Sequence, residues 1–185
     1  MSKMNLPNKL TIFRMVLIVP FVVILLGGEA GWFGENRVVS DLVALAVFVI
    51  ASLTDLADGK IARKYNLVTN FGKFMDPLAD KMLVLTAMTC FCAMGRFPDW
   101  ALVIVMAREF AVSGLRLVAV DNGRVIAAGM SGKVKTFSTM ICLSLMHFPV
   151  PEGFEWVCVI VIAATTLYSG VEYFVKNNDV LNWNK

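Results

Sequence analysis

The sequence holds one histidine, His147, and four cysteines, Cys90, Cys92, Cys142 and Cys158. A zinc centre built on imidazoles and a Ser–His catalytic triad are therefore not expected. The cysteines all fall in apolar runs, with no histidine at metal-ligand spacing, and read as small buried hydrophobes. No G-x4-G-K-[ST] run occurs, so a P-loop is absent. Charge is scarce as well. Asp, Glu, Lys and Arg make up 17% of the 185 residues, against about 25% in soluble domains. With 58% hydrophobic residues and a mean hydropathy of +0.71, the composition is that of a polytopic membrane protein. Its length suits one domain, residues 1–185. The first apolar run lacks a small-residue cleavage site, so a cleaved leader is not expected. The chemistry is left to carboxylates, lysines and arginines.

The carboxylates converge on one stretch, D-L-A-D-G-K-I-A-R-K-Y-N-L-V-T-N-F-G-K-F-M-D-P-L-A-D, from Asp55 to Asp80. Asp55 and Asp58 are three apart, and Asp76 and Asp80 four apart, so on helices each pair shares a face. Pro77 suits the first turn of a helix that starts near Asp76. A helix ending past Asp58, a loop, and a second helix packed alongside would aim four carboxylates into one pocket. Such a quartet cannot ionise fully unless cations compensate it. An all-oxygen ligand set suits a hard divalent ion, Mg²⁺ first, with Mn²⁺ or Ca²⁺ next. Gly59 and Gly72 clear side chains from beside the carboxylates. An isolated acidic pair would read equally well as a solvated helix cap. Four wedged between membrane-length apolar runs read as functional.

Apolar runs predict an all-α bundle of six membrane helices. The first follows a short interfacial segment, residues 1–14, whose Lys3, Lys9 and Arg14 suit an anionic lipid surface. It ends near Gly27–Gly28. The others are expected at about 40–59 or a little beyond, 76–94, 99–120, 133–148 and 155–176. Several runs are short of the roughly 20 apolar residues a span needs, which implies a polar cavity in one half of the bundle. With these helices, Arg37 and Arg96 alone among the 17 Lys+Arg fall on one side. The positive-inside rule then makes both termini and the aspartates cytoplasmic. Trp32, Trp100, Trp156 and Trp183 sit near predicted helix ends, as interfacial aromatics do.

Some cations do more than set topology. Arg108 and Arg116 are eight apart in A-R-E-F-A-V-S-G-L-R and should share an inward helix face. Glu109 cannot lie on the face of Arg108, so its expected partner is another cation, such as Lys81 or Lys135. Lys133 and Lys135 follow Ser131 and Gly132, which read as the start of a helix. Its free N–H groups and the two lysines favour a phosphate. The alternative is that these cations only snorkel to lipid headgroups.

The pattern D-x2-D-G-x2-A-R-x8-G-x3-D-x3-D, with the N-terminal L-P-N-x-L-T-x2-R and the A-R-E-F…S-G-L-R and G-K-V-K-T runs, resembles the CDP-alcohol phosphotransferase family along nearly the whole chain. The resemblance implies a homodimeric six-helix enzyme of the bacterial inner membrane that uses two divalent ions, Mg²⁺ or Mn²⁺. It implies metal ligands at Asp55, Asp58, Asp76 and Asp80, with Asp80 as the general base. Gly59, Ala62, Arg63 and Gly72 match nucleotide-side positions, and Asn8 and Thr11 match the cavity mouth. The implied donor is CDP-diacylglycerol. The cationic runs make glycerol 3-phosphate the expected acceptor, its phosphate held by Arg108, Arg116, Lys133 and Lys135. Membrane lipids are expected partners and nucleic acid is not. Two other readings stand beside this one: the same chemistry with inositol phosphate or serine as acceptor, and a divalent-cation transporter.

Overall fold

The computed structural model of the chain describes residues 5–34, 36–64, 70–121, 123–124, 126–127 and 129–180, with the backbone alone at 55–64, 70–74, 76, 77 and 80. Among the described residues there are six α-helices and no strand. They are α1 (Leu6–Glu29), α2 (Arg37–Lys64), α3 (Asn70–Ala93), α4 (Asp99–Asp121), α5 (Met130–Leu145) and α6 (Glu152–Lys176), followed by a 3-10 turn at Asn178–Val180. α1, the Arg37–Thr54 part of α2, and α6 are long and apolar enough to cross a membrane. α4 carries Arg108, Glu109 and Arg116 in its span, and α5 is only 16 residues long.

Several boundaries differ from expectation, among them the start of α2 at Arg37 and the end of α5 at Leu145. α3 begins at Asn70, so Pro77 lies two turns inside it and not in its first turn. The N–H that proline lacks would have bonded Lys73, and α3 continues past it. α5 begins at Met130, capped by the backbone of Gly129, so Ser131 and Gly132 are already helical. α6 begins at Glu152, directly after Pro151 at its N-cap.

The chain forms two compact units, Met1–Met94 with His147–Pro149, and Gly95–Met146 with Val150–Lys185. In the first, α1 packs on α2 and α3, which also meet each other. α1 starts where the Asn5 side chain accepts the Asn8 N–H at 3.2 Å, with Pro7 early in the first turn. Residues 6–14 run directly into the rest of α1 as one helix. The buried stripe of α1 runs Thr11, Arg14, Ile18, Phe21, Leu25, at helical spacing. Arg14 is 0% exposed, so it does not serve the lipid surface that its position near the terminus suggests. Gly28 lets α1 and α2 touch: a Cβ there would stand 2.3 Å from Ser40 Cβ. Phe21, Phe48 and Phe91, one from each helix, wall in His147 with ring centroids 5.9, 5.9 and 5.0 Å away.

In the second unit α6 is central, with α4 and α5 packed on it. Its buried stripe mixes Val159 and Ile162 with Thr166, Ser169, Gly170 and Tyr173. This apolar-to-polar gradient along one helix sets the cation cluster at its C-terminal half.

Candidate active site

The signature residues divide between two packed helices. Asp55, Asp58, Gly59, Ala62 and Arg63 lie in the last three turns of α2, and Gly72, Asp76 and Asp80 in the first three of α3. Their side chains are outside the described residues. Each aspartate pair is nevertheless three or four apart within one helix, and α2 packs directly on α3. The donor set fits a divalent metal: all oxygen, formally anionic, and contributed by neighbouring helices. Among the described residues no other group of three His, Cys, Asp or Glu could hold a metal ion.

α1 supplies polar residues that the sequence reading undervalued. Gly28 faces Ser40 and Phe21 faces Phe48, so α1 and α2 run antiparallel. That register sets Asn8, Thr11 and Arg14 level with the C-terminal turns of α2, where Asp55 and Asp58 lie. All three are buried, and the Thr11 hydroxyl donates to the Pro7 carbonyl at 3.1 Å. The signal was present in the sequence: all three fall on the stripe that continues through Ile18, Phe21 and Leu25.

The four cations proposed for the acceptor phosphate are all in the second unit, in different settings. The buried stripe of α4 runs Val105, Glu109, Val112, Leu115, so it is built on Glu109 and not on Arg108 and Arg116. Arg108 lies beside the stripe and curls back to it, its Nη1 donating to Glu109 Oε1 at 3.0 Å. Adjacent positions therefore do meet, because the long Arg side chain spans the angle between them. Lys135, on the buried stripe of α5, donates to the same oxygen, which bears out one of the two cations expected for Glu109. Arg116 is held elsewhere. Its Nε donates to the Tyr173 hydroxyl at 3.0 Å, and its guanidinium lies 5.5 Å from the centre of that ring. Lys133 is exposed at the first turn of α5. Tyr173 and Glu109 are the contributors that spacing alone did not single out as site residues.

A family model for CDP-alcohol phosphatidyltransferase matches residues 4–170. The chain is similar to the CDP-diacylglycerol–glycerol-3-phosphate 3-phosphatidyltransferase of Bacillus subtilis (strain 168), at 44% identity over 96% of this chain and 97% of that protein. It is similar to the enzymes of the same name from Rickettsia felis, 40% identical over 77% of this chain and 74% of the relative, and Mycoplasma pneumoniae, 35% identical over 78% and 68%. With the signature spread over two packed helices and these matches across most of its length, the chain belongs to the CDP-alcohol phosphatidyltransferase family.

Proposed function

We propose that this chain transfers the phosphatidyl group of CDP-diacylglycerol to glycerol 3-phosphate, giving phosphatidylglycerophosphate and CMP. The observation that carries the reading is the complete eight-residue aspartate signature on α2 and α3, in a chain that matches relatives of this activity over nearly its full length. The family uses divalent metal. Asp55, Asp58, Asp76 and Asp80 would hold it here, as two ions of Mg²⁺ or Mn²⁺. When bound, it neutralises pyrophosphate oxygens and the charge on departing CMP.

The remaining work falls to the chain itself. Gly59, Ala62, Arg63 and Gly72 line the nucleotide side. Asp80 stays ionised and takes the proton of the attacking hydroxyl. The acceptor oxygen bonds to the lipid-linked phosphorus, and the bond to CMP breaks with its electron pair leaving on CMP. Arg108, Arg116, Lys133 and Lys135 grip the acceptor's phosphate through charge-assisted hydrogen bonds. No covalent enzyme intermediate is needed, and the buried Cys90, Cys142 and Cys158 are not placed as nucleophiles.

The chain works as a single domain, in a homodimer, in the bacterial inner membrane. Six spans put both termini and the aspartates on the cytoplasmic side. Charge asymmetry supports this, and the two exceptions strengthen it. Arg37 pairs with Glu29 at 2.8 Å and Arg96 with Glu155 at 2.5 Å, so both minority cations are neutralised.

Purified protein with Mg²⁺ and CDP-diacylglycerol should release CMP only when glycerol 3-phosphate is added. Release with serine alone would reassign the acceptor. Metal flux in proteoliposomes without CMP would replace the enzyme by a transporter.

A further inference from the structure

Two cations buried side by side repel unless something compensates them. In the second unit that compensation is Glu109. Its side chain is 11% exposed, that of Arg108 13% and that of Lys135 6%. A single oxygen, Glu109 Oε1, accepts from Arg108 Nη1 at 3.0 Å and from Lys135 Nζ. This junction ties α4 to α5. The rest of the Arg108 side chain is confined too. Its Cγ passes over Gly170 of α6, where a Cβ would stand at 3.1 Å, and its Nη2 lies 3.7 Å from the position a Cβ on Gly132 would take. The guanidinium is thus held by one edge on Glu109 while Nη2 lies beside the first turn of α5. In that turn the Lys133 N–H donates to the Gly129 carbonyl at 3.3 Å, the N-cap Gly129 offers no side chain to the N–H groups before it, and Glu172 of α6, paired with Lys176, meets the Ser131 side chain.

We infer that Glu109 is a positioning residue for the acceptor's phosphate. It fixes Arg108 and Lys135 relative to each other and cancels one of their two charges, so that the pair presents one positive charge to a phosphomonoester. Glu109 itself does not touch the substrate, because a carboxylate beside the phosphate would repel it. The inference rests on the phosphate reading of Arg108 and Lys135 given above. It adds that a buried anion, not the cations alone, determines how well a phosphorylated acceptor binds.

The test is steady-state kinetics of the purified enzyme with CDP-diacylglycerol in mixed micelles and glycerol 3-phosphate varied. Glu109→Gln keeps the shape and removes the charge. It should raise KM for glycerol 3-phosphate roughly tenfold or more, the scale of a lost charge-assisted hydrogen bond, with KM for CDP-diacylglycerol unchanged. Glu109→Asp keeps the charge but falls one methylene short, and should give a smaller rise. It carries the test if the Gln variant does not fold. A merely structural role predicts that the folded fraction drops while both KM values stay at wild type. That result, or failure of both variants to fold while Arg108→Gln folds, overturns the inference. Arg108→Gln separates the two levels. If it leaves the acceptor KM unchanged, the phosphate site is wrong. If it raises that KM and Glu109→Gln does not, only the role of Glu109 is wrong.

Discussion

Arg96 reaches 59 residues along the chain to Glu155, its Nη2 2.5 Å from Oε1, while also donating to the Met146 carbonyl at 2.5 Å. The side chains are 13% and 11% exposed. Removing one partner of a buried pair leaves an uncompensated charge and costs about 3–5 kcal/mol. Glu155→Gln should therefore lower the thermal midpoint in detergent sharply, with turnover per folded molecule unchanged. Replacing both residues by apolar ones should recover much of the loss, since such swaps are often neutral.

The contact between Gly28 and Ser40 gives a packing test. A methyl on Gly28 would lie 2.3 Å from Ser40 Cβ and 3.8 Å from its Cα. Gly28→Ala should cost about 1–3 kcal/mol, the range for overpacking. Adding Ser40→Gly removes the clashing atom and should restore most of the stability. Thermal melts of the two single variants and the double variant would show the coupling directly.

Asp80→Asn should lower CMP release by about 10²-fold or more for the loss of a general base, while the protein stays folded, with an unchanged elution volume on size exclusion. Normal turnover in this variant would remove Asp80 from the role.

Chelation should stop turnover, and adding back Mg²⁺ or Mn²⁺ should restore it. Because an ion that binds only the folded state stabilises it by mass action, the apo protein should also melt lower. That thermal shift should be lost in Asp55→Asn. A thermal shift of full size in that variant would argue against Asp55 as a ligand.

Tyr173→Phe keeps the ring under Arg116 and removes the hydroxyl that Arg116 Nε meets at 3.0 Å. One hydrogen bond to a charged group contributes about 1.5–3 kcal/mol. The variant should raise the acceptor KM several-fold if Arg116 must be aimed. It should leave KM for CDP-diacylglycerol alone.

Hydropathy and punctuation made the six helices legible, because long apolar runs broken by Gly, Pro and charge have few other readings. Their ends were harder. Asn70–Met75 ahead of Asp76 looked like loop because Lys73 and Gly72 interrupt the apolar pattern, yet α3 already includes them. The aspartate motif was legible as chemistry, since fixed spacing of identical residue types survives any doubt about boundaries. Glu109 was half legible. Its partner Lys135 could be named from charge alone, but its link to Arg108 depends on a side chain bending back, which helical spacing does not encode. Arg14 was misjudged because nearness to the terminus suggested a surface, whereas its register with Ile18 and Phe21 put it inside.

The enclosure of His147 by Phe21, Phe48 and Phe91 has a practical consequence. As the chain's single imidazole, it is a ready-made reporter that needs no mutagenesis. Isotope-labelled histidine gives the signals of one ring only, shifted by three neighbouring aromatic currents. Loosening of α1, α2 or α3 during turnover would be visible as a change in those signals.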